Sequence, residues 1–193
     1  MNGFVRESVL LATIKTKTHH LDTPLGRFDI FASYEANDQE TGSHPIKVVP
    51  FNPDLPRGMS VSGCYSAVLS LIAESKISNL RFTARLNAFG PTITAGPATG
   101  EALEAQSFST SRFIALVGTE DFNYLSARLS KRIVLAKDPF IYTPESLSIQ
   151  ITEVPAAMNL SLHFIVAWNS LPEPKDCSCW FAVDQPHEAL LGR

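Results

Sequence analysis

The chain has 193 residues, 45% of them hydrophobic and 18% charged, with a formal net charge of −3. That suffices for one domain with its own apolar core, and it excludes collagen-like, low-complexity and disordered classes. The mild acidity supplies no global basic field for nucleic acid, and the low charged fraction fits a surface that partners cover. Three cysteines, Cys64, Cys177 and Cys179, make an odd count with a Cys-x-Cys spacing too tight for an easy bridge. A reduced, intracellular site of folding is the expectation. Val9 to Ala12 is too short for a signal-peptide core, and no apolar run is long enough to span a membrane.

Ser8 to Thr18 reads as a strand or an ordered arm. Arg27 to Tyr34 alternates, with Phe28, Ile30, Ala32 and Tyr34 on one face, and predicts a strand. Glu35 to His44 is a polar loop, and Ile46 to Phe51 is a short strand bounded by Pro50 and Pro53. Beyond a turn at Pro53 to Gly58, Tyr65, Val68, Leu69 and Ile72 fall at helical spacing after a Ser60 or Ser62 cap. That spacing predicts a helix ending at Glu74 to Lys76. Ile77 to Phe89 is a strand with Leu80, Phe82, Ala84 and Leu86 inward and Arg81, Thr83 and Arg85 outward.

Gly90 to Gly100 is a loop, and Phe108 to Gly118 is a long strand. Thr119 caps a short helix to about Ser130, with Phe122, Leu125 and Leu129 on its apolar face and Arg128, Lys131 and Arg132 at its end. Ile133 to Ala136 and Phe140 to Tyr142 are short strands. Leu147 to Val154 and Leu160 to Trp168 alternate as the closing pair, joined through Pro155. His163 falls opposite Leu162 and Phe164, which places it partly in solvent. The tail from Leu171 carries Pro172, Pro174 and Pro186 around Trp180 and is expected to drape over a surface.

Strands that do not alternate regularly with helices disfavour a parallel sheet. The expected fold is all-β: an antiparallel β-sandwich of two four-stranded sheets, with two short helices in the connections favouring a jelly roll. The organisation is an N-terminal arm over 1–26, a jelly-roll domain over 27–170 and a C-terminal tail over 171–193. Eight positions, Leu80, Phe82, Leu86, Ile149, Ile151, Leu162, Phe164 and Val166, are expected in the core.

No catalytic signature stands out. Gly-x-Ser-x-Gly, the Gly-x-x-x-x-Gly-Lys phosphate loop and Gly-x-Gly-x-x-Gly are all missing, and Gly58 to Gly63 lacks the following lysine. His19-His20 has no further metal ligand at suitable spacing, and Cys177-x-Cys179 has no second pair, with His187 alone a weak complement. No enzymatic centre, cofactor or metal is expected.

The order of a helix, a strand with outward arginines, a Gly/Pro-rich loop, a strand, a short helix and a terminal strand pair resembles small icosahedral virus coat proteins, the tymovirus-like ones above all. The stretches SVSGCYSAVLSLIAESKISNLRFTARLNAFGP and YTPESLSIQITEVPAAMNLSLHFIVAWNS carry the likeness. It extends over Phe28 to Ser170 in layout, and the tail after Pro172 departs from it. The resemblance implies a structural protein that assembles with copies of itself into an icosahedral shell around viral single-stranded RNA, with no membrane involved. It implies residence in the virion, and in host cytoplasm during assembly. On that reading Lys15, Lys17, His19 and His20 are RNA-facing candidates. Phe31, Arg81, Arg85, Phe113, Val117, Ile165 and Trp180 are candidates for subunit contacts. The alternative is a β-sandwich carbohydrate- or protein-binding module that uses the Gly90 to Gly100 end. An enzyme ranks third, for want of an acid–base constellation.

Overall fold

Alternation along each strand sets its two faces, and the apolar faces meet in a sandwich. The computed structural model describes residues 11–37, 45–90, 93–171 and 175–191. Sheet one runs in the order β1 (Leu11–Lys15), β3 (Gly26–Asn37), β6 (Ile77–Ala88), β11 (Ser146–Val154) and β10 (Val134–Thr143). A further strand, β2 (His19–Thr23), pairs with the first half of β3 while β1 pairs with the second. Sheet two runs β4 (Ile46–Pro50), β5 (Gly63–Ala73), β12 (Met158–Ser170), β9 (Phe113–Glu120), β8 (Leu103–Ser109) and β7 (Thr94–Pro97). Neighbouring strands are antiparallel in both sheets.

The antiparallel sandwich is as expected, although each sheet holds six strands rather than four. The first long strand, β3, and the last, β12, lie in opposite sheets, and this order does not confirm a jelly-roll path. All eight expected core residues are buried. Phe82 from sheet one and Phe164 from sheet two stack at 4.6 Å between ring centroids, and Phe28 meets Phe108 edge-on at 5.6 Å. Such aromatic pairs add about 0.5–1.5 kcal/mol beyond their area.

The expected helix before Glu74 is instead β5, a central strand. Ala67, Leu69, Leu71 and Ala73 face the core between the sheets, while Cys64 and Val68 join a second apolar cluster on the outer side of sheet two. A strand apolar on both faces reads as a continuous run, and within such a run helical spacing arises by accident. Other boundaries shift as well. The strand expected from Phe108 to Gly118 is a hairpin of β8 and β9. The two short strands around Pro139 are one bulged strand, β10. The arm expected over 1–26 supplies β1 and β2 to sheet one, and its first ten residues lie outside the described ones. The loop over 90–100 contains β7.

Three helices are present among the described residues. The first, α1 (Phe122–Arg128), is capped by Asp121 rather than Thr119: its Oδ1 accepts from the Tyr124 N–H at 2.9 Å. Leu125 is buried beneath it and Phe122 is exposed. The tail forms α2 (Lys175–Val183) and α3 (His187–Leu191). It does not drape, because Cys179, Ala182, Val183 and Leu190 seal against Leu103, Ala105, Leu116, Ile165 and Ala167 on sheet two. The backbones approach closely there. A Cβ on Gly118 would meet Val183 at 2.8 Å, and one on Gly100 would meet the Trp180 ring at 2.4 Å. Pro172 and Pro174, noted in the sequence, lie outside the described residues.

Candidate functional site

Two outer faces result, and they differ in kind. On sheet one the register pairs His20 with Asp29, Asp29 with Arg85, Phe31 with Thr83, Ser33 with Arg81 and Lys15 with Ser33. Directly paired residues share a face, so Lys15, His20, Phe31, Arg81 and Arg85 gather on one side. Lys15 Nζ sits 4.0 Å from the Phe31 ring centroid and the Arg85 guanidinium 5.8 Å from it, both within cation–π range. Asp29 is the carboxylate at this centre. His20 Nδ1 lies 2.7 Å from its Oδ1, and Arg85 Nη2 lies 3.5 Å from its Oδ2. Burial works to raise Asp29, but the Asn87 amide, His20 and Arg85 outweigh it and hold the carboxyl below its ordinary range. Arg81 donates to the Gln150 amide oxygen at 3.3 Å. Among the described residues no carboxylate pairs with Lys15, Lys17 or Arg81.

His19 departs from the RNA-facing set. It pairs with Ile30 and so lies toward the core side at the sheet edge, half-buried, where burial, Lys17 and His20 lower its pKa. The expected subunit contacts divide too. Arg81 is exposed and Phe31 and Arg85 are partly buried on the outer face, whereas Phe113 packs against the core between the sheets. Val117 and Ile165 are not exposed: Val117 faces the core between the sheets, and Ile165 faces outward but is fully buried beneath the C-terminal helices. Trp180 packs on its own chain against Gly100. Lys131 and Arg132 are exposed after α1.

On sheet two the C-terminal helices close over a polar cluster. His163 on β12 is 1% exposed and Glu120 at the end of β9 is 7% exposed, which corrects the partly solvated His163 of the sequence reading. His187, the first residue of α3, comes down on them. Its Nδ1 lies 2.8 Å from His163 Nδ1, and its Nε2 lies 3.1 Å from Ser161 Oγ. Arg128 from the last turn of α1 donates to both carboxylate oxygens of Glu120, through Nε at 3.1 Å and through Nη2, and to the Ser161 carbonyl at 2.8 Å. A cavity of about 530 Å³ opens beside them, lined in part by Thr119, Glu120, Arg128, Asp184 and His187.

No family model, curated protein or solved structure matches the chain.

Burial pushes His187 down to about 4, helped by the Arg128 charge, and drives His163 well below its ordinary value, helped by His187 and Arg128. Both imidazoles are therefore neutral near pH 7, the form that ligates metals or takes up protons. Burial also raises the Asp184 carboxyl beside them. Sequence reasoning missed this cluster because its members are far apart in the chain. A signal existed: His163, Ile165 and Ala167 alternate outward on β12, and Cys179, Ala182 and Val183 recur at helical spacing in the tail. An apolar outward row and an apolar helix stripe in the same chain are complementary faces.

Proposed function

We propose that the chain is a structural β-sandwich subunit that assembles with copies of itself into an icosahedral shell around single-stranded RNA, with the outer face of sheet one turned to the RNA. The observation that carries this reading is the gathering of Lys15, His20, Arg81 and Arg85 on one face of sheet one, with Lys15 and Arg85 over the Phe31 ring. A single strand is held by cations that track its phosphates and by aromatic faces on which bases stack. Lys15 and Arg81 have no described carboxylate partner to displace first. Self-association is suggested by the low charged fraction of the chain, 18%, which fits a surface that neighbours cover. The resemblance to tymovirus-like coat proteins suggested this reading, although the helix that opens the resembling layout is the strand β5 in this chain.

The test is particle formation and salt-dependent RNA binding by the purified chain. Large particles should sediment and appear by negative stain, and Lys15→Ala with Arg81→Ala should weaken binding of a single-stranded RNA. Each lost phosphate contact flattens the dependence of log affinity on log salt by about 0.7. A protein that stays near 21.1 kDa at high concentration and ignores RNA removes the shell reading. It would favour the second one, a carbohydrate- or protein-binding module. That reading is supported by the cavity of about 530 Å³ beside His187, within the ~300–1,000 Å³ range of ligand pockets.

A further inference from the structure

His163 is buried with an imidazole as its hydrogen-bonding partner. Its Nδ1 faces His187 Nδ1, and its Nε2 is buried with no partner among the described residues. Two neutral imidazoles meeting nitrogen to nitrogen satisfy each other with a single proton, so one ring must donate and the other accept. Nothing in the packing demands a histidine here, because the neighbouring outward positions of β12, Ile165 and Ala167, are apolar and fully buried. A third ligating group completes the picture. One donor atom from each of Glu120, His163 and His187 lies within 4.8 Å of the other two, and all three residues are buried.

We propose that Glu120, His163 and His187 form a binding site for one divalent transition-metal cation of the zinc and cobalt class. Two histidines and a carboxylate are a recurring ligand set for such ions. Imidazole nitrogens bind them at about 2.0–2.1 Å, so two such nitrogens at the tetrahedral angle around an ion lie about 3.3 Å apart. The observed separation is 2.8 Å, so an ion replaces the hydrogen bond between the rings and parts them by about half an ångström. Glu120 closes the set by a side-chain movement of up to about 1.5 Å, the excess of the 4.8 Å cluster limit over tetrahedral ligand spacing.

The surroundings fit. His187 Nε2 rests on Ser161 Oγ at 3.1 Å, the kind of outer contact that fixes a ligating ring. Arg128 holds Glu120 by both carboxylate oxygens, leaving the remaining lone pairs for the ion. Its positive charge opposes the cation and limits the affinity, and the Glu120 carboxylate offsets that charge. Glu120 and His187 both line the cavity, which gives the ion a route in and leaves room for water or an exogenous ligand in the open coordination positions. The ligands come from β9, β12 and α3, so the ion would fasten the C-terminal helix to sheet two. This site is independent of the shell reading, since it faces away from the cationic surface of sheet one.

Cobalt binding by the full chain tests it, in a Cys177→Ser background that removes the exposed thiol. After addition of Co²⁺ and desalting, one equivalent should remain bound, with visible d–d absorption, and Zn²⁺ should displace it. His187→Ala and Glu120→Gln should each weaken binding at least tenfold while circular dichroism stays that of the folded chain. Failure of the Cys177→Ser protein to retain a stoichiometric ion overturns the proposal. So does retention of the ion with unchanged affinity in Glu120→Gln, a near-isosteric change that decides the matter if His187→Ala does not fold.

Discussion

The outer faces of the two sheets answer the same physical problem in opposite ways. Sheet one leaves its outer face wet and makes it polar: Asp29, Ser33, Arg81, Arg85 and Gln150 cross-pair there around a single half-buried ring, Phe31. Sheet two makes its outer face apolar with Leu103, Ala105, Leu116, Ile165 and Ala167, then covers it with α2 and α3. Covering creates an interior, and an interior turns polar residues at its rim into buried ones. His163 and His187 are therefore strongly perturbed groups, with Glu120 buried beside them, whereas Lys15 and Arg81 of sheet one lie exposed to a partner.

The largest effects should come from the core that both sheets share. Phe82→Ala or Phe164→Ala removes one ring of a stacked pair at 4.6 Å and should cost roughly 3–5 kcal/mol, read by urea unfolding. A cost under about 1 kcal/mol for both would mean that the sheets do not face each other as described.

A substitution on each outer face sharpens the contrast directly. Gly118→Val places a Cβ within 2.8 Å of Val183 and should destabilise by about 1–3 kcal/mol through overpacking. Ser33→Val, on the open face, should change stability by no more than about 0.5 kcal/mol. Proteolysis should then cut the C-terminal segment of the Gly118→Val protein first. Equal protection in both variants would mean that the cover is loose.

Acid should separate the two faces without mutation. In chelator-containing buffer, the His163 and His187 pKa values lie below their unfolded value of 6.5, and His187 lies near 4. The unfolded chain therefore binds more protons in that interval. The associated stability is complete above pH 6.5 and is lost as pH falls toward 4. On sheet one, the Asp29 pKa is below its ordinary 3.8, so its contribution is present above that value and is lost only as pH falls further. Thermal melts between pH 7 and pH 4.5 should show the first loss, and His187→Gln should reduce it. An unchanged pH profile in His187→Gln would assign the acid sensitivity elsewhere.

The smallest effect on stability belongs to Arg81→Ala, an exposed residue bonded to Gln150. It should leave unfolding unchanged within about 0.5 kcal/mol while lowering RNA affinity at low salt. A stability loss with no change in RNA binding would make Arg81 a structural residue and weaken the functional contrast between the faces.

The sequence by itself determined the sandwich, because alternation in β3, β6, β11 and β12 is strict where one strand face meets the core and the other meets polar neighbours. It determined the inward set from Phe28 to Val166 for the same reason. It also placed Arg81 and Arg85 outward, since the face follows from parity along a strand, whereas Lys15, Lys17, His19 and His20 form one group in the sequence and only the register separates His19 from His20. The gathering of Lys15 and Arg85 over Phe31 needed the register of three strands. Where both faces of a strand are buried, parity carries no contrast, and so β5 read as a helix and Ile165 read as a contact for another subunit. Only the tertiary structure decided that the tail returns to cover sheet two. That return joins Glu120, His163 and His187, residues separated by 43 and then 24 positions in the chain. Local patterning encodes which way a side chain points, whereas long-range packing decides what it meets.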